Sequence, residues 1–524
     1  MRRENDRVLV IGAGMGGLAA AIRLAAAGRD VTLLEAHGWP GGKMRTVPSA
    51  AGPVDAGPTV LTLRDVLDDL FEAAGAALEA HVTLDRLPIL ARHFWSDGAR
   101  LDLHADSETS AEAIGDTFGA RARAEFQRFD AETRALFDGF DAPIMRRPRP
   151  SALGAARAVL ARPGLLPWLV PGRSLNAMLA ARFTEPRLRQ LFGRYATYVG
   201  GNPSLAPAVL GLIWQAEAAG VWAVRGGMAQ LAQALAAVFE GLGGTLRLNA
   251  PVARILSDGG AVTGVALADG EALTAGQVVF NGDPAALPHL LDTPRRAPAR
   301  RQVRPRSLSA QVWTFAAKVQ PQGLGAQALA YHSVFFADDP AQEFGPLAQG
   351  RVPKAPTVYV CAQDRATGTP TGTPTGAERF QFILNAPPHT GSEISCPIDP
   401  FPRLARFGLH LSPEPSPQAP PQALTRPRDF AALFPHSQGA LYGLSPDGAL
   451  ATFLRPGART KLRGLYLAGG GAHPGAGVPM ALISGGHAAR AAMADRISAP
   501  MSRPTATPGG MSTGSAMTEN APSR

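Results

Sequence analysis

Residues 7–35 read RVLVIGAGMGGLAAAIRLAAAGRDVTLLE, and the fold is decided there. Arg7–Ile11 is a short apolar run bounded by glycine, the pattern of a buried strand. Gly12, Gly14 and Gly17 follow in the spacing G-x-G-x-x-G. Leu18–Ala27 is rich in Ala, Leu and Ile, with Arg23 its only charge, and Gly28 stands where a helix C-cap is expected. Val31–Leu34 is a second strand with Glu35 at its end. A strand, a helix and a second strand this close together form one β-α-β unit, which implies a parallel sheet. The glycines then have separate tasks: Gly12 allows the tight turn, Gly14 lets a pyrophosphate approach the backbone, and Gly17 lets the helix pack close to the strand. The helix N-terminus offers unpaired N–H groups to phosphates, and the Glu35 carboxylate can accept hydrogen bonds from ribose hydroxyls.

Such a unit serves NAD or FAD. Two features further along favour FAD. Gly41-Gly42-Lys43-Met44-Arg45 comes within ten residues of Glu35, and Asp55-Ala56-Gly57-Pro58-Thr59 soon after, so these stretches can wrap a long dinucleotide. A second glycine cluster, Gly469–Gly477, lies between the strand expected at Gly464–Ala468 and the helix expected at Val478–Ile497. A helix N-terminus near Val478–Met480 would turn its positive end toward the negative charge of a reduced flavin.

Elsewhere the pattern predicts helix over Val66–Ala80, Ala111–Asp141 and Met228–Leu242. It predicts a hairpin over His93–Leu103 around Asp97-Gly98, and strands at Thr245–Asn249, Val262–Leu267 and Val278–Asn281. Arg146–Arg173 is basic and Pro-rich with an apolar centre. It reads either as an interfacial segment that meets anionic headgroups or as a core helix pair. Pro294–Arg306 is an arginine run that reads as a solvated surface or an extension of the same electrostatic face. Thr367–Gly376 is a low-complexity repeat expected on an exposed loop, and 499–524 is expected to be a disordered tail.

Composition bounds the function. The chain has 524 residues, 45% hydrophobic and 18% charged, which is enough apolar material for a large core and excludes a wholly disordered chain. Its two cysteines, Cys361 and Cys396, cannot form a disulfide framework or a Cys-rich metal site, so no metal is expected. Fifty-one basic against 42 acidic residues give a net charge of +9, carried almost wholly by arginine. That reflects either arginine-rich coding or attraction to an anionic surface. Aromatics are 6%, and no basic helix is interleaved with stacking residues, so nucleic acid is not the expected partner. The N-terminus lacks room for a secretory signal before Val8–Gly12 begins the first strand, and the glycine-rich stretch Leu465–Ala489 reads as a loop feeding a buried helix rather than a membrane span.

Four stretches together resemble the bacterial-type carotenoid desaturases: the opening glycine fingerprint, Asp55–Thr59, Val278–Asp283 and Leu465–Gly477. The resemblance runs over most of residues 7–495 and is nearest to the 1-hydroxycarotenoid 3,4-desaturases of phototrophic bacteria. It implies an α/β fold of the flavin amine oxidase and dissociation-inhibitor type, with a Rossmann-type FAD-binding domain and an α+β substrate domain. The implied FAD domain is discontinuous, from residues 1–90, 224–290 and 450–498, and the substrate or membrane-facing domain comprises 91–223 and 291–449. By the same resemblance Gly12, Ala13, Gly14, Gly16 and Gly17 form the pyrophosphate loop, and Glu35 holds the adenosine ribose. Gly42, Lys43 and Arg45 lie near the phosphate and ribityl region, and the Val252 backbone meets the adenine. Gly470, His473, Val478 and Met480 border the isoalloxazine. Relatives often carry Thr before the His-Pro-Gly; Ala472 stands there in this chain.

The implied substrate is a long apolar carotenoid. The implied location is the cytoplasmic side of the inner or intracytoplasmic membrane, in peripheral contact. Desaturation removes a hydride and a proton from adjacent carbons, so positioning and water exclusion matter more than a catalytic triad. The sequence carries no HExxH, GxSxG or Walker lysine loop, and it names neither a catalytic residue nor the electron acceptor. Three other readings share the fold: a phytoene or neurosporene desaturase, a flavin amine oxidase, and a non-enzymatic prenyl-binding module. The arginine-rich chain with six tyrosines offers little to cage a cationic amine, and the intact glycine loops argue against a module that binds no flavin.

Overall fold

Arg7–Ile11 forms β1, Met15–Ala26 forms α1 and Asp30–Leu34 forms β2, as the apolar periodicity predicts. The computed structural model describes residues 7–148, 163–292, 305–325, 328–366, 376–389, 397–415, 422–448, 451 and 455–497. Most of the arginine run and of the low-complexity repeat, the predicted tail, and residues 149–162 of the basic segment lie outside these residues.

β1 is the middle of a five-stranded parallel sheet. It is flanked by β2 and then Thr245–Arg247 on one side, and by Gln277–Phe280 and then Leu465–Leu467 on the other. Strand residues alternate faces. Val8 and Val10 turn toward a helical layer made by α1, Asp65–Ala73, Met228–Gly241 and the final helix Val478–Ile497. Leu9 and Ile11 turn the other way, toward a small antiparallel sheet of Val252–Asp258, Ala261–Leu267 and Ala272–Thr274. Both faces of the parallel sheet are therefore covered, which is why its strands read as unbroken apolar runs. α1 and the final helix pack closely because Gly485 has no side chain: a Cβ there would lie 2.2 Å from the Gly16 carbonyl oxygen.

The rest of the chain builds a larger, mostly antiparallel sheet of eight strands. The predicted hairpin supplies Ile89–Phe94 and Arg100–His104. The longest pairing joins Ser309–Val319 to Glu378–Ala386, with Phe315 opposite Phe380. One face buries Phe94, Phe335, Phe380 and Phe382 beneath the helix Phe401–Arg406. The other face, through Val334 and Cys361, packs on a helical layer that includes Ser107–Phe118, Ala120–Phe140 and Pro186–Gly193. The single helix expected over Ala111–Asp141 is two helices, because Gly119 takes φ +92°, a left-handed conformation that interrupts the ladder. The helix expected over Val66–Ala80 stops at Ala73, where Gly75 turns the chain at φ +67°.

The segment 53–59 joins the two sheets. Gln363 Nε2 donates to the Asp55 carbonyl (3.1 Å) and its Oε1 accepts from the Asp55 N–H (3.0 Å). Gln381 Nε2 donates to the Gly57 carbonyl at 2.9 Å. The Asp55 carboxylate turns back and accepts the N–H groups of Met228 and Ala229, at 2.6 and 3.2 Å, at the start of Met228–Gly241. Asp55 thus caps a helix of the layer that covers the parallel sheet, an N-terminus where carboxylates are favoured.

Candidate cofactor and substrate site

The glycine loop is held from three sides. Gly12 turns the chain at φ +92°, and its N–H donates to the Leu34 carbonyl at 2.7 Å. Asn281, at the end of the strand Gln277–Phe280, donates from Nδ2 to the Gly12 carbonyl at 3.0 Å. The space a Gly14 side chain would need is taken by this amide, since a Cβ there would sit 2.9 Å from Asn281 Nδ2. The absence of a Cβ at Gly14 thus also makes room for Asn281. The expected role of Gly17 holds, since a Cβ there would lie 2.0 Å from the Gly12 carbonyl oxygen. Gly16 is fixed by the C-terminal cluster, with a Cβ position 2.6 Å from Gly469 Cα.

Glu35 is buried and accepts from the Ala13 N–H at 2.7 Å and the His37 N–H at 3.0 Å, one on each oxygen. Its remaining lone pairs are those available to a ribose. The chain then crosses above the loop: Gly41 N–H donates to the Ala13 carbonyl at 2.8 Å, and the Cβ position of Gly42 is 3.2 Å from Gly14 Cα. Val252 begins its strand two residues beyond Ala250, whose N–H donates to the Glu35 carbonyl at 2.8 Å. Gly12, Ala13, Gly14, Gly16, Gly17, Glu35 and Gly42 therefore converge, with Val252 beside them.

Lys43 enters a buried polar pocket that the sequence does not reveal. Its Nζ donates to the Leu441 carbonyl and lies 5.5 Å from the centre of the Phe434 ring. Burial, reinforced by Arg306 and Arg455, lowers Lys43 to a pKa of about 8 against the pull of Asp283. Burial likewise lowers Arg455 to about 10. Arg306 pairs with Asp283, their side chains only 9 and 13% exposed, so this last arginine of the run points inward rather than onto a solvated surface. Arg455 donates to the carbonyls of Gly470 (2.7 Å) and Tyr442 (3.0 Å), tying the C-terminal glycines to the chain at 442. Arg45 donates to Thr425 Oγ1 at 2.6 Å.

Three cations thus surround one carboxylate, and the buried Nε atoms of Arg45 and Arg306 have no hydrogen-bond partner among the described residues. Buried uncompensated charge is costly, and an anion is the natural complement. The residues fit a dinucleotide diphosphate.

The Lys43 shift has a measurable consequence. Below pH 8 the lysine is charged folded and unfolded, and the fold bears the cost of burying it; above its ordinary value of 10.5 it is neutral in both states. Stability of the ligand-free protein should therefore climb from pH 8 to 10.5 by about 3 kcal/mol relative to Lys43→Met. Urea unfolding of both proteins across this range measures it, and parallel curves would refute it.

A cavity of about 1200 Å³ lies between the eight-stranded sheet, its helical layer and the segment that enters the final helix. Phe137, Phe140, Ile144, Val209 and Ile213 form much of its apolar wall, and His473–Met480 close one end. Val478 and Met480 line it where the final helix begins. His473 lies 3.0 Å through Nε2 from the carbonyls of both Ile144 and Arg147. Carbonyls only accept, so Nε2 carries the proton. Burial lowers its pKa, leaving a neutral ring stacked on His487 at 5.7 Å. His473 thus braces the cavity wall. Ala472 is fully buried in the apolar cluster with Phe280 and Leu467. Among the described residues no group of His, Cys, Asp and Glu is arranged to hold a metal ion.

A parallel sheet with a glycine loop under a cationic pocket, beside a large and mostly apolar cavity, defines a dinucleotide-dependent oxidoreductase. Residues 15–391 match the family model of flavin-containing amine oxidoreductases. The hydroxyneurosporene desaturase of Cereibacter sphaeroides is 54% identical, covering 94% of this chain and 99% of that protein. The enzyme of the same name from Rhodobacter capsulatus is 52% identical, over 95% and 100%. Among solved structures, putrescine oxidase bound to putrescine superimposes with a TM-score of 0.61 at 18% identity, over 94% of this chain and 99% of that one. The chain belongs to the flavin-containing amine oxidoreductase family, in its carotenoid desaturase branch. Its cofactor is FAD.

Proposed function

We propose that the protein is an FAD-dependent desaturase that introduces a C-3,4 double bond into acyclic 1-hydroxycarotenoids such as 1-hydroxyneurosporene, in bacterial carotenoid biosynthesis. The observation that carries this reading is the mostly apolar cavity of about 1200 Å³, which reaches the glycines preceding the final helix and is far larger than a small amine needs. When bound, FAD supplies a two-electron oxidant whose reduced state is an anion. The protein does the rest by position. Gly12, Ala13, Gly14, Gly16 and Gly17 hold the pyrophosphate, Glu35 and Val252 the adenosine, and Gly42, Lys43 and Arg45 the phosphate and ribityl region. Gly470, His473, Val478 and Met480 border the flavin ring. The apolar wall excludes water from the carbons that lose hydrogen, so that orientation supplies most of the rate.

The division of labour follows the chain: residues 1–90, 224–290 and 450–498 serve the cofactor, and 91–223 and 291–449 the substrate. Access is peripheral to the membrane, on its cytoplasmic side. No helix among the described residues is long and apolar enough to cross a bilayer. Leu166, Val170 and Leu205 are nonetheless 55, 49 and 52% exposed, and Leu205 lines the cavity. The Ala208 N–H donates to the Arg173 carbonyl at 3.0 Å, which brings the chain carrying Leu166 and Val170 beside Leu205 at the mouth. Trp168, in the same segment, packs inward over Gly211. Exposed apolar side chains around an opening suit entry of a substrate from lipid.

Flavin-loaded protein incubated with 1-hydroxyneurosporene in anionic liposomes should produce a carotenoid with one more conjugated double bond, seen as a red shift. Absence of that product, or equal turnover of phytoene, would overturn the assignment.

A further inference from the structure

One polar stretch of the cavity wall is a connected cluster of hydroxyl and charged groups. Tyr359 OH lies 2.7 Å from Thr59 Oγ1 and 2.6 Å from His332 Nδ1. Close by, the Glu217 carboxylate accepts the hydroxyls of Tyr195 (2.6 Å) and Tyr198, and Arg194 Nη1 donates to Tyr198 OH at 2.9 Å. Thr59, Arg194, Tyr198, Glu217 and Tyr359 all line the cavity, so this is a patch on its surface and not a network sealed in the core. Burial keeps Tyr198 and Tyr359 as neutral phenols, and burial together with Arg194 lowers His332 to a pKa of about 3. His332 Nε2 and Arg194 Nε and Nη2 have no hydrogen-bond partner among the described residues.

A hydrocarbon lying on this patch would bury its polar atoms against carbon, which is unfavourable. An alcohol would not, since it both donates and accepts. The patch starts at Thr59, two residues from Gly57, whose Cβ position is 1.9 Å from the Lys43 carbonyl oxygen. It therefore adjoins the cationic pocket assigned above to the cofactor. In a 1-hydroxy polyene, C-1 and C-4 are separated by roughly 4 Å of carbon chain. Whatever holds the alcohol must lie close to the bond that is oxidised.

We propose that Thr59, Tyr359, Tyr198 and Glu217 form a recognition site for the hydroxyl at the reacting end of the substrate, and that this site selects which bond is desaturated. The inference rests on the desaturase reading above and adds the residues that set its specificity. Glu217 is the acceptor for the alcohol proton, the Thr59 and Tyr359 hydroxyls complete the contact, and Arg194 holds Tyr198 against Glu217.

The test uses the full-length, flavin-loaded protein with 1-hydroxyneurosporene and neurosporene in micelles. Two quantities are read: binding, by tryptophan quenching with the flavin held reduced so that no turnover occurs, and kcat/KM under oxidising conditions. Wild type should prefer the alcohol roughly 10- to 100-fold in both. Tyr198→Phe should reduce that preference to within about threefold, while flavin content and affinity for the hydrocarbon stay near wild type. Thr59→Val, a change of similar volume, should act in the same direction and keeps the test alive if the tyrosine variant folds poorly. A wild type with no preference, or variants that weaken both ligands equally, would overturn the proposal. So would transfer of the effect to Asn385→Leu, whose side chain donates to Glu343 elsewhere on the wall. Preferential binding of the alcohol without any turnover would sink the desaturase reading, and with it the selection of a bond, while leaving the hydroxyl contact standing; turnover of both substrates without preference would sink this proposal and leave desaturation standing.

Discussion

Gly17→Ala is expected to yield protein that purifies without flavin and unfolds far below wild type. A single methyl group would be placed 2.0 Å from the Gly12 carbonyl oxygen and 3.2 Å from Asn281 Cβ. Neither neighbour can yield cheaply. The carbonyl belongs to the turn that ends β1 and already accepts from Asn281 Nδ2 at 3.0 Å, and Asn281 itself follows a strand of the same sheet. α1 must therefore move away from the sheet, breaking its close contact at Gly485 with the final helix. Overpacking at a backbone contact of this kind costs about 3 kcal/mol. The displaced helix N-terminus also no longer presents its N–H groups where the phosphates need them. Flavin-to-protein ratio and thermal unfolding measure both effects. Gly241→Ala is the control: nothing lies within 4 Å of its Cβ position, it ends a helix, and it should be neutral or slightly stabilising. Wild-type flavin content in Gly17→Ala would show that the loop tolerates displacement.

The contrast between those two glycines shows what can be read from sequence. The β-α-β unit is legible because its signals are local: apolar runs of strand length, three glycines at fixed spacing, and an acid at the end of the second strand. The eight-stranded sheet is not, because its strands come from widely separated stretches (89–104, 309–335, 358–386 and 411–425) and acquire their register only from one another. Local pattern also misassigns side chains whose partners are distant. Asp55 reads as part of a cofactor wrap, yet its carboxylate caps a helix 173 residues away. Arg306 reads as one more surface arginine, and it is buried because Asp283 is there to receive it. Asn281 sits in a motif visible in the sequence, but only the packing reveals that its amide occupies the space of Gly14. Tyr198, Glu217 and Tyr359 come from three segments with no common spacing, so the polar patch that bears on specificity has no sequence signature at all.

Asp283→Asn is expected to destabilise the flavin-free protein by about 3–5 kcal/mol, the usual cost of leaving buried charge without its counter-ion. Asp283 is the carboxylate facing Lys43, Arg306 and Arg455, all of them buried. The amide keeps the shape but removes the negative charge, leaving Arg306 unpaired and lowering Lys43 further. The loss should be smaller in the flavin-loaded protein, because a bound diphosphate contributes negative charge to the same pocket and binding to the folded state adds stability by mass action. The observable is therefore a difference: the gap in unfolding temperature between loaded and flavin-free protein should widen in the variant. Arg306→Met in the same chain should restore much of the flavin-free stability, since it removes the charge that Asp283 balances. Equal losses with and without flavin, or no rescue by Arg306→Met, would mean that Asp283 matters for shape and that the cations are not poised for an anion. The predicted asymmetry follows from one feature of the pocket: it is built with more positive charge than the protein itself neutralises, and such a site is most stable when its ligand is present.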